Sequence, residues 1–146
     1  MNQPPPINDH GVFVLDAAVI ESLKSAARAS PLRRARICLH PGLDSPVQEM
    51  IIALCRDSTI EPHRHPAHKP ESYHLVDGEM DVSIFDATGR CIQLIHLRQN
   101  GARMYRIRGD VWHQPLAVSE CVVYHEVYTG PFDKVADVNY KDWDQS

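Results

Sequence analysis

Long apolar runs, a strong charge of one sign and a leader-like N-terminus are all missing from this sequence. No stretch approaches the roughly 18 consecutive apolar residues of a transmembrane helix. Residues 1–6 (MNQPPP) contain no basic stretch leading into an apolar segment, as a secretory signal would. The formal net charge of −4 gives no field that would attract nucleic acid or an anionic membrane. We therefore expect a cytoplasmic protein whose partners are neither nucleic acids nor membranes.

Closely spaced cysteines and extended basic stretches are missing as well. The four cysteines are Cys38, Cys55, Cys91 and Cys121, and no two of them form a C-x-x-C pair. We therefore expect buried, reduced thiols instead of disulfides or metal ligands. The one basic cluster is short. It consists of Arg33, Arg34 and Arg36. We predict that it is a solvated segment after a helix, with contact to an anionic ligand or partner as the alternative.

The residues that are present are enough for one globular domain with one short helix. The chain has 146 residues, of which 43% are hydrophobic and 23% charged. A helix is predicted over Ala17–Ala29, because the Asp16 carboxylate can accept from the free N–H groups of the first turn. Ser30-Pro31 ends it, since the residue before proline is disfavoured in helical geometry.

After this helix the sequence predicts strands and turns almost to its end. Val47–Cys55 is nearly all apolar at its centre, which suits a strand covered on both faces; we also take this surplus of apolar surface to indicate a homodimer. Asp77-Gly78, after a strand at 71–76, is typical of a two-residue hairpin turn. Short strands recurring every 8–12 residues predict an all-β barrel or sandwich. The further strands are Met80–Phe85, Cys91–Leu97, 103–108, 111–118 and Cys121–Thr129.

The polar residues of the segment 62–71 (PHRHPAHKPE) predict a metal site. His63 and His65 are two residues apart, so on an extended chain both imidazoles leave the same face. Glu71 can return to the same ion after the loop through Pro70, with His68 as the alternative. His113, after the Gly109-Asp110 turn, is the fourth candidate. Imidazole and carboxylate are the usual ligands of zinc, iron, nickel and manganese, so one divalent transition metal is expected, without its identity.

These motifs resemble those of a known superfamily. H-x-H, then Glu71, then six residues to Gly78, with a second block containing Gly101, Gly109 and His113, is similar to the paired motifs of the cupin superfamily. Within it, the segments CLHPGLDSPVQEMIIALCRDSTIEPHRH, ESYHLVDG and HEVYTGPF resemble the WbuC family of cupin-fold metalloproteins. The resemblance covers about residues 36–133.

The resemblance implies a mainly β fold, a single cupin β-barrel of the jelly-roll, RmlC-like type with a short N-terminal helix. The chain would then consist of an arm and helix packed on the barrel (residues 1–35), the barrel (36–133) and a C-terminal tail (134–146). The WbuC family is associated with surface-polysaccharide (O-antigen) gene clusters, which implies a sugar or nucleotide-sugar ligand.

We expect a metal-dependent enzyme, an isomerase or an oxygenase, acting on a small polar or sugar-like molecule. Glu126 is the candidate acid or base, while His40 and Tyr73 are candidate substrate-binding residues. The alternative is a non-catalytic metal- and ligand-binding or sensor cupin. A metal-free sugar epimerase is less favoured, because the full set of metal ligands would be superfluous in it.

Overall fold

The structure, a computed structural model, describes residues 2–3 and 7–143. It contains one helix, α1, and eleven strands. The helix is Ala17–Ala29, and the strands are β1 Asn2–Gln3, β2 Arg34–Cys38, β3 Val47–Cys55, β4 His63–Arg64, β5 Glu71–Asp77, β6 Met80–Phe85, β7 Cys91–Leu97, β8 Met104–Ile107, β9 Trp112–Ala117, β10 Cys121–Thr129 and β11 Asn139–Tyr140.

The strands form two sheets that pack face to face. The larger sheet has the order β1-β2-β3-β10-β5-β8, and the smaller has the order β11-β4-β9-β6-β7. Neighbouring strands are antiparallel except β1 and β2, which are parallel. The predicted mainly β architecture with one short helix is therefore confirmed.

Side chains from both sheets form the core between them. The larger sheet contributes Leu54, Tyr73, Leu75, Tyr105, Ile107, Val122 and Tyr124, and the smaller contributes Met80, Val82, Ile84, Leu97 and Ala117. The alternation of buried and half-buried residues along β5 and β6 is what places one face of each strand in this core.

Helix α1 covers the outer face of the larger sheet. Its predicted bounds and cap are confirmed, with the Asp16 carboxylate accepting from the Val19 amide at 3.0 Å. Leu23 and Ala27 of the helix pack on a second buried cluster, which includes Ile51 of β3. Strand β3 is thus covered on both faces, as predicted. Because α1 covers it within one chain, its apolar surface gives no support to a homodimer.

The predicted hairpin at Asp77-Gly78 is wrong, although the flanking strands and the glycine turn are present. β5 pairs with β10 and β8, whereas β6 pairs with β7 and β9, so the turn carries the chain from one sheet to the other. Gly78 has φ +83°, and a Cβ on it would lie 2.7 Å from the Cys121 carbonyl oxygen. Both the turn and this close approach require glycine. A glycine in the sequence is a local signal, and it does not indicate which strands pair.

Two further expectations need correction. The arginine cluster is not a helix exit, because Arg34 and Arg36 lie within strand β2. Of the cysteines, which are all free thiols, Cys55 and Cys121 are buried as expected, but Cys91 is exposed on β7. β7 is an edge strand, mostly exposed on both faces, so an apolar neighbourhood in the sequence does not bury this thiol.

Segments near both ends of the described chain pair or pack with the sheets. Asn2–Gln3, within the arm and helix predicted over residues 1–35, pairs with β2; residues 1 and 4–6 of that segment lie outside the described residues. In the tail, β11 pairs with β4, and the Trp143 ring lies 5.0 Å from that of Trp112. Over residues 2–3 and 7–143, no helix is long and apolar enough to cross a membrane.

Candidate metal centre

Three histidine side chains meet between the two sheets. His63 on β4 lies directly opposite His113 on β9, with ring centroids 4.4 Å apart. His65 follows two residues after His63, and its ring lies 5.2 Å from that of His63 and 5.4 Å from that of His113. One ring nitrogen of each lies within 4.8 Å of the others, and all three residues are buried. These three histidines could hold a metal ion.

Backbone carbonyls fix the orientation and the tautomer of the three rings. A carbonyl only accepts, so an Nδ1 at hydrogen-bond distance from it carries the proton and leaves the Nε2 lone pair for a ligand. All three histidines have this arrangement. Their Nδ1 atoms donate to Glu61 (2.9 Å) for His63, to Asp137 (2.7 Å) for His65 and to Val111 (3.0 Å) for His113.

Glu71 extends the cluster from the larger sheet. Its side chain is only 2% exposed, with Oε2 at 3.0 Å from His113 Nε2 and Oε1 at 3.4 Å from His65 Nε2. It lies beside these two rings and outside the group of mutually close nitrogens, which consists of the histidines alone. His68, the alternative to Glu71, is exposed in the loop before β5. The geometry therefore favours Glu71 as the carboxylate of the site.

The polar atoms at the centre of the cluster lack partners. The contact between His113 Nε2 and Glu71 Oε2 is not aligned as a hydrogen bond. Within the described part of the chain, neither atom, nor His65 Nε2, has a hydrogen-bond partner. Three imidazoles and a carboxylate with these unpartnered buried atoms form a donor set that suits a divalent transition metal.

Burial and mutual charge control the ionisation of the cluster. Burial, together with the charge of His113, lowers the pKa of His63 to about 4, so its imidazole is neutral near pH 7. Burial would lower the pKa of His65, but Glu71 outweighs it and raises that pKa. Burial would likewise raise the pKa of Glu71, but His113 and His65 outweigh it and lower it. The site thus offers an ionised carboxylate and at least one neutral imidazole.

The candidate acid or base, Glu126, lies on the inner face of the larger sheet. It is on β10, opposite Met50 on β3 and Tyr73 on β5. Its side chain is half-buried. Burial and the nearby charge of Glu71 raise its pKa well above the ordinary value, while Arg36 acts in the opposite direction. A carboxyl group with a raised pKa therefore lies beside Glu71 and the histidine cluster.

The two predicted substrate-binding residues have different surroundings. Tyr73 is 3% exposed and packs against Tyr105 and Tyr124, at centroid distances of 4.9 and 4.7 Å. The half-buried His40 places Nδ1 3.0 Å from both the amide nitrogen and the carbonyl oxygen of Glu49. The structure brings Tyr73 close to Glu71 and Glu126, while His40 contacts strand β3. Substrate contact by either residue stays a prediction.

Sequence reasoning missed the residues that surround His65. Lys69 and Asp137 form a buried ion pair beside it, and the Tyr128 ring lies 4.8 Å from its ring. Lysine in a loop and aspartate in a tail usually face solvent. No local signal in the sequence marks them as partners.

The fold is a jelly roll of the cupin type, and its three buried histidines could hold a metal ion. Two facing sheets of a jelly roll carry a cluster of three buried histidines, and the same fold occurs in the solved structures below. The family model described as "Domain of unknown function (DUF6016)" matches residues 15–97. The chain belongs to this family. No curated protein matches its sequence.

Three solved structures illustrate the likeness. An HTH_3 family transcriptional regulator from Vibrio cholerae is 25% identical, with a TM-score of 0.53, over 80% of this chain and 62% of that one. Cellulomonas parahominis L-ribose isomerase with L-psicose is 14% identical, with a TM-score of 0.58, over 73% and 68%. Oxalate oxidase in complex with glycolate is 16% identical, with a TM-score of 0.57, over 77% and 57%. This chain thus spans less than two thirds of the regulator and of the oxalate oxidase.

Proposed function

We propose that this protein is a metal-dependent enzyme that binds one divalent transition metal through His63, His65, His113 and Glu71. Its substrate is a small polar or sugar-like molecule. A bound metal with an open coordination position supplies Lewis-acid polarisation of a carbonyl, enediol or water oxygen, or a site for dioxygen if it is iron. The chain's own residues then have to orient the substrate and move its proton.

Glu126 is the observation that carries the enzyme proposal. An acid or base has to hold a proton near neutral pH and lie within reach of the reacting atoms. The raised pKa of Glu126 is a shift in the direction that the first requirement needs, and its place on the inner face opposite Tyr73 brings it beside the proposed ligand Glu71. Two neighbouring carboxyl groups whose pKa values are pushed apart are typical of acid–base sites. Glu71 is the ionised ligand and Glu126 the proton carrier.

The proposed setting is surface-polysaccharide (O-antigen) metabolism in the cytoplasm, with a sugar or nucleotide-sugar as ligand. Its support is the likeness of residues 36–133 to the WbuC family, carried by the segments CLHPGLDSPVQEMIIALCRDSTIEPHRH, ESYHLVDG and HEVYTGPF. Isomerisation and oxygenation both suit the site. A homodimer is proposed on the likeness to cupins alone.

A non-catalytic sensor is the second candidate. The observation in its favour is the Vibrio cholerae transcriptional regulator, which matches 80% of this chain at 25% identity. In a sensor, the metal would fix a ligand's carboxylate or hydroxyl groups, and Glu126 would be a ligand contact instead of a proton carrier.

The metal site is tested by elemental analysis of protein purified without added metal. We expect about one transition metal per chain, and none after His63→Ala/His65→Ala, because two of three clustered imidazoles are then gone. His74→Ala/His125→Ala is the matched control. These two histidines lie on the outer face of the larger sheet, with ring centroids 5.3 Å apart, and this variant should keep its metal. Metal retained after loss of His63 and His65 would contradict the proposed site.

Enzyme and sensor are separated by a screen of nucleotide-sugars and small keto acids with iron(II), manganese and nickel. Turnover that Glu126→Gln abolishes, in protein that still binds metal, is the result expected of an enzyme. Tight stoichiometric ligand binding without turnover in any of these combinations would favour the sensor.

A further inference from the structure

His65 is held differently from the other two histidines. His63 and His113 donate to carbonyls two residues earlier in the chain, just before their own strands. His65 lies beyond the end of β4 and donates instead to the carbonyl of Asp137, 72 residues further along the chain. Its ring orientation therefore depends on where the C-terminal tail lies.

A buried ion pair fixes that part of the tail. Lys69 Nζ donates to both carboxylate oxygens of Asp137, at 2.9 and 2.8 Å, and also to the Pro131 carbonyl. Lys69 is 8% and Asp137 2% exposed. The Asp133 amide donates to the same carboxylate at 3.2 Å, and the Asp137 amide donates to the Asp133 carbonyl at 2.9 Å. Both charges are thus fully paired within the protein.

The ion pair closes a ring of contacts around a metal ligand. Lys69 belongs to the short loop that joins His65 to Glu71, so the loop itself carries the anchor for the tail. Lys69 binds the Asp137 side chain, and the Asp137 carbonyl accepts the Nδ1 proton of His65. The backbone from His65 to Lys69 completes this ring of contacts. An ordinary tail anchor would not need to lie between two ligands. Buried ion pairs add little stability compared with apolar groups of the same size, so a specific role is indicated.

We propose that the Lys69–Asp137 pair is a positioning device for the metal centre, which sets metal affinity by holding the Asp137 carbonyl on His65. This inference rests on the proposed metal function. The carbonyl fixes the tautomer that presents Nε2, and it increases the basicity of the ring. Loss of such an outer partner typically weakens metal binding by about 10–100-fold.

The experiment compares metal affinity, spectrum and stability in matched variants. Lys69→Met/Asp137→Asn removes both charges without leaving one buried and unpaired, and Lys69→Arg keeps the pair. Asp81→Asn is the control, since it breaks a partly buried pair with Arg98, 2.8 Å long, away from the histidines. Zinc affinity is measured by competition with a chelator. The visible spectrum of cobalt(II)-loaded protein reports ligand geometry, and thermal unfolding of the metal-free protein reports general stability.

We expect the double variant to bind zinc about 10–100-fold more weakly and to have an altered cobalt spectrum. Lys69→Arg should recover most of the affinity, and Asp81→Asn should match the wild type. Wild-type affinity and spectrum in the double variant, even with a lower unfolding temperature, would reduce the pair to a tail anchor and overturn the inference. If wild-type protein binds no metal, the proposed function fails instead.

One measurement on the wild-type chain needs no variant, and so does not depend on whether the double variant folds. Nitrogen NMR of the metal-free protein should show His65 protonated at Nδ1, with a slowly exchanging proton. A ring protonated at Nε2 alone would contradict the contact with Asp137 and overturn the inference.

Discussion

The two carboxyl groups of the site lie side by side and ionise differently. Glu71 lies against two imidazoles that lower its pKa. For Glu126, Arg36 is the neighbour that lowers the pKa, and burial and the Glu71 charge outweigh it. Burial and the Glu71 charge therefore keep the Glu126 proton in place. The folded chain holds a proton at Glu126 that the unfolded chain releases above about pH 4.5, the ordinary value.

This difference predicts how the metal-free protein responds to pH. A carboxyl group whose pKa is raised in the folded state costs stability as pH rises above its ordinary pKa, by at most about 1.4 kcal/mol per pH unit. Glu126→Gln removes this cost. Urea unfolding is measured from pH 4.5 upwards. As pH rises, the free energy of unfolding of the metal-free Glu126→Gln variant should increase relative to that of the metal-free wild type.

Added metal should reduce the advantage of Glu126→Gln, because a nearby cation favours the ionised carboxyl. Parallel pH profiles of wild type and Glu126→Gln would show that Glu126 is an ordinary carboxylate.

At the scale of the element, the turn before His113 and the loop after His65 adjoin two of the proposed metal ligands and pack directly on each other. The turn between β8 and β9 contains Gly109, whose carbonyl accepts from the His65 amide at 2.7 Å. A Cβ on Gly109 would lie 1.7 Å from the Pro66 carbonyl oxygen and 2.8 Å from that of Lys69. Only glycine allows this approach, so the turn before His113 and the loop after His65 have a fixed separation.

Gly109→Ala should therefore disturb both turns at once. We expect a loss of about 1–3 kcal/mol in the free energy of unfolding, because a backbone has to move to admit the methyl group. Metal content should fall too, since His65 and His113 move apart. Gly101→Ala is the control, because the nearest atom to its Cβ would be 3.6 Å away, and it should change neither quantity. Full metal content in Gly109→Ala would mean that the loop can yield without moving the ligands.

The sequence predicts those elements whose signals are local. Helix α1 has its cap and its proline stop within the chain segment itself, and both are found where expected. Strands β3, β6, β7 and β10 follow from apolar runs and alternation, and their bounds are confirmed. The two-residue strands β4 and β11 were not foreseen, because each exists only through pairing with a distant segment.

The same limit applies to the candidate site. The alternation of His63 and His65 predicts two imidazoles on one side, and their approach to His113 and Glu71 agrees with the spacing of the motifs. The direction of the chain at Asp77-Gly78 could not be predicted, because turn chemistry is the same within a hairpin and between sheets. The contact of His65 with Asp137 could not be foreseen either, since it depends on how the tail docks.

At the scale of the whole molecule, the proposed ligands come from both sheets. His63 and His113 belong to the smaller sheet, and Glu71 to the larger one. A bound ion would link the sheets across the core, while the metal-free chain buries unpaired atoms there. Loading and removal of metal should therefore alter the stability of the entire fold and not of one loop.

Removal of metal should lower the unfolding temperature of the protein in a single transition. With free metal at about 100 times its dissociation constant, binding to the folded state alone adds about 2.7 kcal/mol, or roughly 5–10 °C for a chain of this size. Differential scanning calorimetry of chelator-treated and reloaded protein measures this shift. His63→Ala/His65→Ala should show no shift on adding metal. A separate low-temperature transition on metal removal, with the main transition unmoved, would mean that the ion orders only the loop around His65 and does not join the two sheets.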